Sequence, residues 1–332
     1  MTDLLPLLER ALERRAALET RLAAEDTTAL RWFHGVAEGR PGLTLDRYGT
    51  LFLAQTFRAP LAPDEVELLA AFVRERGVAS AGPGARFAWN HRGETAHTGV
   101  PDETDEVFRE GGVSFVTRAR HRGLDPWLFL DLRAARRRLR RVAAGKSVLN
   151  LFAYTCGAGI AAAAAGAREV WNVDFAASSL EVGRRNAELN RLDPERVRFV
   201  QEDCLPVMTQ LAGLLVKGRA SVRKHTRFEA RRFDVVFLDP PAWSKSAFGA
   251  VDVVRDYPSL FKPALLATEP GGLVVATNHV ASVAAADWTT VLARAAEKAG
   301  RPLASIEVEG PDDDVPAFDG AAPLKVAWCR LA

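Results

Sequence analysis

Apolar residues recur along this chain in two different regimes, and the change between them falls near Leu128. Leu4 to Leu22 carries Leu and Ala at helical spacing with Arg and Glu between them, which predicts an amphipathic helix. Arg31 to Phe57 alternates instead. Gly39-Arg-Pro41-Gly42 and Asp46-Arg-Tyr-Gly49 are turn signals, so this stretch predicts strands joined by hairpins. Pro63 to Gly77 predicts a helix with Asp64 near its cap and Gly77 at its end. Phe87 to Phe115 is irregular or strand-like. These elements predict a small α+β domain over residues 1–120.

A second domain is predicted over residues 121–332, where strand and helix patterns alternate. Asp131 to Ala143 is a basic helix. Strands are predicted at Ser147–Ala153, Glu169–Asp174, Val197–Gln201, Phe233–Leu238 and Gly272–Asn278. Between and after them, helices are predicted after the glycine turn at Gly157, at Ser178–Leu192, around Pro206–Leu215, at Tyr257–Ala267 and at Ala284–Ala299. Two consecutive strands, Leu303–Glu309 and Lys325–Leu331, close the chain as a hairpin. This order predicts an α/β fold with a mostly parallel, doubly wound sheet and one reversed strand at its end.

Composition narrows the classes. Among 332 residues, 48% are apolar and 26% charged, which supports a large core and excludes gross disorder. The net charge of +2 gives no global pull toward a polyanion, so any such pull must be local. Three cysteines, Cys156, Cys204 and Cys329, are too few and too scattered for a disulfide framework or a zinc site. They predict a reducing, cytoplasmic setting and no metal. The acidic start, Met1-Thr-Asp-Leu-Leu-Pro, is no signal peptide, and no apolar run is long enough to cross a bilayer. Monomer and homodimer both stay open.

The chemistry-bearing residues sit at predicted strand ends. Val148-Leu-Asn150-Leu-Phe152-Ala-Tyr154-Thr155-Cys156-Gly157-Ala-Gly159 reads as strand, tight turn and helix start, where backbone can approach a ligand and the helix N-terminus favours negative charge. The second strand ends in Asp174, followed by Phe175, and its carboxylate can accept from both hydroxyls of a ribose. The third ends in Asp203-Cys204, with the acid placed to accept from an adenine amino group. Gly157-Ala-Gly159-Ile-Ala-Ala162 also satisfies G-x-G-x-x-A, so a nicotinamide-dependent oxidoreductase is a live alternative on the first two strands. That alternative leaves Asp203 unexplained. It also leaves unexplained the run Phe233-Asp-Val-Val-Phe-Leu-Asp239-Pro240-Pro241-Ala242-Trp243, a buried strand broken by two prolines. The resulting rigid turn offers a carboxylate, prolyl carbonyls and a flat ring, which suits gripping a planar base.

Taken in order, these motifs resemble those of the class I S-adenosylmethionine-dependent methyltransferases that modify large-subunit ribosomal RNA in bacteria. The resemblance covers most of the chain. Gly42-Leu-Thr-Leu-Asp46-Arg47-Tyr48-Gly49 is similar to that family's pre-catalytic domain. Leu128-Phe129-Leu130-Asp131-Leu-Arg133 resembles the segment lining its cofactor pocket, Asn150 to Thr155 its glycine-loop motif, and Asp239 to Trp243 its catalytic loop. The resemblance implies a Rossmann-like, seven-stranded methyltransferase domain that uses S-adenosylmethionine. The implied cofactor contacts are Phe129, Asp131, Arg133, Asn150, Phe152, Tyr154, Thr155, Cys156, Gly157, Asp174, Phe175, Asp203, Cys204 and Asp239. It implies that Asp239, Pro240, Pro241, Trp243 and Asn278 handle the base. Two departures stand out. Nothing before the Leu4 helix supplies the RNA-binding PUA domain of the cytosine-C5 members. Leu273-Val-Val-Ala-Thr277-Asn278-His279 lacks the cysteine nucleophile they need. The guanine-N7 branch needs no nucleophile, so attack at a base nitrogen is the reading here. Cytosine C5, a small molecule or a protein remain the alternative acceptors, and a non-catalytic RNA-binding module the alternative class.

Two basic clusters could track RNA phosphates: Arg133, Arg136, Arg137, Arg138, Arg140 and Arg141; and Lys217, Arg219, Arg223, Lys224, Arg227, Arg231 and Arg232. Asp312-Asp-Asp314 reads as a solvated acidic loop, and His279 as structural.

Overall fold

A computed structural model of the chain describes residues 4–92, 99–121, 123–216, 224–317 and 323–332. It divides into two compact units, Met1–Arg133 with Pro311–Ala322, and Ala134–Gly310 with Pro323–Ala332. Among the described residues, no helix is long and apolar enough to cross a membrane.

In the first unit, α1 (Leu4–Ala24) precedes β1 (Ala29–His34), the short α2 (Gly35–Glu38), β2 (Leu43–Tyr48) and β3 (Leu51–Thr56). α3 (Pro63–Phe72) follows, then a π-helical turn Val73–Gly77 that runs into α4 (Val78–Ala81), β4 (Arg86–His91), β5 (Gly99–Val100), β6 (Glu106–Glu110) and β7 (Val113–Thr117). The sheet order is β1-β2-β3-β4-β5, with only β3 and β4 parallel; β6 and β7 form a separate ribbon. The apolar stripe of α1, with Leu4, Leu8, Ala11, Leu18 and Leu22, packs into a core with Trp32, Phe33, Leu45 and Phe52. Gly77 does not end its helix. Its φ is −67°, the helical path continues, and a Cβ there would come within 3.0 Å of the Phe52 ring. It is a packing glycine, and Gly82, with φ of +88°, ends the helix instead.

The first unit holds a buried network of charges, and it corrects two expectations. Asp312 and Asp314 are not a solvated loop. Asp314 is 0% exposed and, with Asp312, binds Arg133, itself 1% exposed (Nε to Asp312 Oδ2 at 2.7 Å, Nη2 to Asp314 Oδ1 at 2.5 Å). Arg133 also donates to Ala29 O at 3.0 Å, and Asp314 Oδ2 accepts from Arg31 N at 2.8 Å. Arg15 joins by donating to Glu38 and to Asp314 O. Burial alone would lower the Arg133 pKa, but Asp314 and Asp312 beside it raise it above the ordinary value. Arg133 is therefore committed to two carboxylates and a backbone carbonyl, with its guanidinium buried rather than presented to a cofactor or an RNA phosphate. Removing one member of such a buried cluster leaves an uncompensated charge. Asp314→Ala is expected to cost ~3–5 kcal/mol of stability in urea unfolding, whereas Asp313→Ala, at an exposed neighbour, should stay within about 0.5 kcal/mol.

In the second unit, α5 (Arg133–Ala143) leads into β8 (Ser147–Leu151), α6 (Gly157–Ala164), β9 (Glu169–Asp174), α7 (Ala177–Leu189), β10 (Val197–Gln201) and α8 (Cys204–Leu211). Then come β11 (Phe233–Leu238), a small hairpin β12 (Trp243–Lys245) and β13 (Ala250–Asp252), α9 (Tyr257–Leu266), β14 (Thr268–Asn278), α10 (Ala285–Lys298), β15 (Leu303–Glu309) and β16 (Lys325–Leu331). Seven strands lie in the order β10-β9-β8-β11-β14-β16-β15, and only β16 runs against its neighbours. Central strands such as β8 and β11 are nearly continuous in apolar residues because both faces are covered. Leu149, Leu151, Val236, Leu238, Val274 and Ala276 face a core shared with α8, α9 and α10, while α6 and α7 pack against β8, β9 and β10.

Candidate active site

The site follows from strand register. β8 pairs Leu151 with Val173 of β9 and Leu238 of β11, and β11 pairs Leu238 with Ala276 of β14. Phe152, Asp174, Asp239 and Thr277 therefore emerge at one level, at the carboxyl edge where open α/β sheets hold ligands.

The loop after β8 is strained. Phe152, Tyr154 and Cys156 have φ of +58°, +49° and +67°, and five such non-glycine residues occur among the described residues. Three within five positions mark a segment whose backbone is held against local preference. The restraints are visible. Phe152 N donates to Cys204 Sγ at 3.1 Å, and Tyr154 N donates to Asp174 Oδ2 at 2.8 Å. Asp174 Oδ1 accepts from Ala176 N at 2.9 Å. Burial pushes the Asp174 carboxyl up from its ordinary value, against the pull of the Ala176, Tyr154 and Phe175 N–H groups. Gly159, one turn into α6, lets the helix lie on the sheet: a Cβ there would sit 1.9 Å from Asn172 Oδ1.

Several predicted cofactor residues serve this loop with their side chains. Asn150 is buried and donates to Asn172 Oδ1 at 2.9 Å. Thr155 is buried, and its carbonyl accepts from Asn186. Cys156 Sγ donates to Tyr154 O, and Cys204 Sγ donates to Val173 O at 3.4 Å. Burial pushes the Cys156 and Cys204 thiols well up, and that of Cys329 to about 12. None of the three is a thiolate nucleophile. Asp203 caps α8, its Oδ1 accepting from Leu205 N at 2.8 Å. Gly157 opens α6, and Phe175 is 72% exposed beside Asp174. Phe129 and Asp131 lie in the first unit, where Asp131 is part of a 3-10 turn, Leu130–Leu132.

At the end of β11, Asp239 Oδ1 receives two donors, Thr277 Oγ1 and, at 2.9 Å, His279 Nε2. Its side chain is 21% exposed. Pro240 is buried, Pro241 exposed, and Trp243 is 64% exposed where β12 begins. Tyr257 of α9 donates to Thr277 O at 2.8 Å and fixes the other flank. His279 is thus part of the site, although a lone histidine after a strand reads more readily as structural than as a general base. Asn278 is a correction. It is 0% exposed and its Oδ1 accepts from Val280 N at 2.9 Å, so it cannot reach a base.

The basic clusters also divide. Arg136 is buried like Arg133, and Arg138 pairs with Glu307 at 2.7 Å, while Arg141 at the end of α5 is exposed. Lys217, Arg219 and Arg223 lie outside the described residues. Lys224, Arg227 and Arg232 are exposed, while Arg231 pairs with Glu169. Residues 224–228 are anchored at the site edge: Thr226 N donates to Glu202 Oε1 at 2.9 Å, and Phe228 N to Gln210 Oε1 at 3.2 Å. The His225 ring meets Phe248 of the β12–β13 hairpin edge-on, with centroids 5.8 Å apart. Among the described residues, no group of acids, histidines and cysteines could hold a metal ion.

Comparison with known proteins fits this geometry. The profile of the S-adenosylmethionine-dependent methyltransferase family matches residues 30–330. A ribosomal RNA large subunit methyltransferase of Deinococcus radiodurans is 30% identical over 307 residues, 89% of this chain and 70% of that protein. Ribosomal RNA large subunit methyltransferase I of Aeromonas hydrophila is 29% identical over 318 residues, 93% of this chain and 75% of that protein. Among solved structures, a methyltransferase complexed with SAH shares the fold with a TM-score of 0.78 at 22% identity, over 98% of this chain and 80% of that one. Gly159→Ala tests the close approach at the strained loop. Overpacking against Asn172 is expected to cost ~1–3 kcal/mol in thermal or urea unfolding.

Proposed function

The chain belongs to the S-adenosylmethionine-dependent methyltransferase family, and we propose that its acceptor is a base nitrogen in RNA, with large-subunit ribosomal RNA as the substrate and a guanine N7-like atom as the target. The chain is a methyltransferase, and S-adenosylmethionine, its methyl donor, supplies a methyl group on a sulfonium that an in-line lone pair can displace.

The observation that carries the reading is Asp239. Thr277 and His279 both bond its Oδ1, which leaves Oδ2 to face a substrate. There it accepts from a base N–H and sets the nitrogen that attacks. When a ring nitrogen without a hydrogen gains a methyl, the base becomes cationic, and a fixed carboxylate beside it stabilises that charge as it develops. Pro240 and Pro241 hold the turn rigid, and the exposed Trp243 ring stacks on the base. A base in a duplex must first be flipped out. A cytosine-C5 reaction would need a thiolate, and all three thiols are buried. Large-subunit ribosomal RNA rests on the names of the relatives. A surface for it is offered by Lys224 and Arg227, which flank His225 where it meets the β12–β13 hairpin, with the first unit as a further RNA-binding element.

For the cofactor, the Phe152–Gly157 backbone, Asp174, Phe175 and Asp203 are the residues we assign. Asp174 accepts from the ribose hydroxyls, Phe175 covers the ring, and Asp203 accepts from the adenine amino group. Asp174 must be ionised to act as a double acceptor. Since burial raises its pKa above the ordinary 3.8, affinity for S-adenosylhomocysteine should fall on acidification, starting at a higher pH than an ordinary aspartate would give. By calorimetry, Asp174→Asn should weaken binding about 10- to 100-fold and lose that pH dependence. In methyl transfer to ribosomal RNA, Asp239→Ala should lower the rate ~100-fold or more while the protein still binds S-adenosylhomocysteine. Full activity in that variant contradicts the assignment of the loop.

A further inference from the structure

Lys325 is a buried charged side chain beside the turn that carries His279. It opens β16, where it stands opposite Asn278 of β14, and is 7% exposed. Its Nζ donates to two backbone carbonyls, Val280 O and Pro323 O, each at 2.7 Å. Among the described residues, no carboxylate pairs with it. Burying an ammonium against neutral acceptors alone costs stability, and burial lowers its pKa. An apolar side chain of the same length would remove that cost but leave the two carbonyls without this donor.

What the ammonium does is hold a turn. Val280 is gripped from both sides, its N–H by Asn278 Oδ1 at 2.9 Å and its carbonyl by Lys325. The residue between Asn278 and Val280 is His279, whose Nε2 meets Asp239 Oδ1 at 2.9 Å. Alternation along β14 puts Asn278 on the face opposite Thr277. Lys325 therefore acts from one face of the sheet, through the backbone, on a carboxylate at the other. We propose that Lys325 is a positioning residue for methyl transfer, locking the Asn278–Val280 turn so that His279 fixes Asp239 with Oδ2 toward the acceptor base. The proposal rests on the role of Asp239 given above. In it, His279 serves as a hydrogen-bond donor, and its proton is not transferred.

Lys325→Met is the test. Its melting temperature should stay close to that of the wild type, because the relief of a buried charge offsets the loss of two hydrogen bonds to carbonyls, and its affinity for S-adenosylhomocysteine should stay within about twofold. Its kcat for methyl transfer to ribosomal RNA should fall ~10- to 100-fold with KM little changed. His279→Ala should show a similar loss, the double variant should be no slower than the slower single one, and His279→Gln, which keeps a side-chain N–H donor, should recover most of the rate. Wild-type kcat in Lys325→Met overturns the proposal, as do multiplicative losses in the double variant or failure of Gln to rescue. Should Lys325→Met unfold, Lys325→Gln keeps a donor and must be folded and faster than His279→Ala; unfolding of both overturns a positioning role. If the wild-type protein transfers no methyl to RNA, the substrate reading fails by itself. The proposal is then read by NMR: the His279 imidazole N–H should be protected from exchange in the wild type and unprotected in Lys325→Met, and equal protection in both overturns it.

Discussion

Parallel pairing of β8 with β9 and β11, and of β11 with β14, is the constraint on which the candidate site depends. It brings Phe152, Asp174, Asp239 and Thr277 to one edge although they are spread over more than a hundred residues of chain. A slip of one residue in any pair would turn Asp174 or Asp239 to the opposite face and bury it among Leu151, Leu238 and Ala276. The apolar faces of these strands enforce the register, so the same side chains that build the core also place the chemistry.

Around that edge, each acid is held by donors from its own neighbourhood. Asp174 fastens the strained loop through Tyr154 N and the start of α7 through Ala176 N. Asp239 is set by Thr277 and His279, and behind them by Tyr257 and Lys325. The carboxylates are therefore oriented before any substrate arrives, so the ordering entropy is met in folding rather than at the moment of reaction.

Whereas the seven-stranded count came with the family resemblance, the α/β class, the mostly parallel sheet and the strand ends were legible in sequence because buried parallel strands are continuous apolar runs broken by Gly and Pro. The glycine turn and the Asp239-Pro240-Pro241 turn were legible for the same reason. Other features depended on partners distant in sequence. Asp312 and Asp314 resemble any solvated acidic loop until Arg133, about 180 residues earlier, is seen against them. The arginine run on α5 looked uniformly basic, yet one helical face buries Arg133 and Arg136 while Arg141 stays exposed. Asn278 and His279 are adjacent, so strand alternation, which periodicity does not resolve at a strand's last residues, decided that His279 and not Asn278 meets Asp239. Lys325 carried no local signal, because its two partners are main-chain carbonyls.

Nucleoside mass spectrometry of large-subunit ribosomal RNA, from cells with and without this protein, tests the central claim most directly. The account predicts the loss of one base methylated on nitrogen, 7-methylguanosine foremost, with every other modification unchanged. Loss of 5-methylcytidine, or a modification profile identical in the two strains, would contradict it.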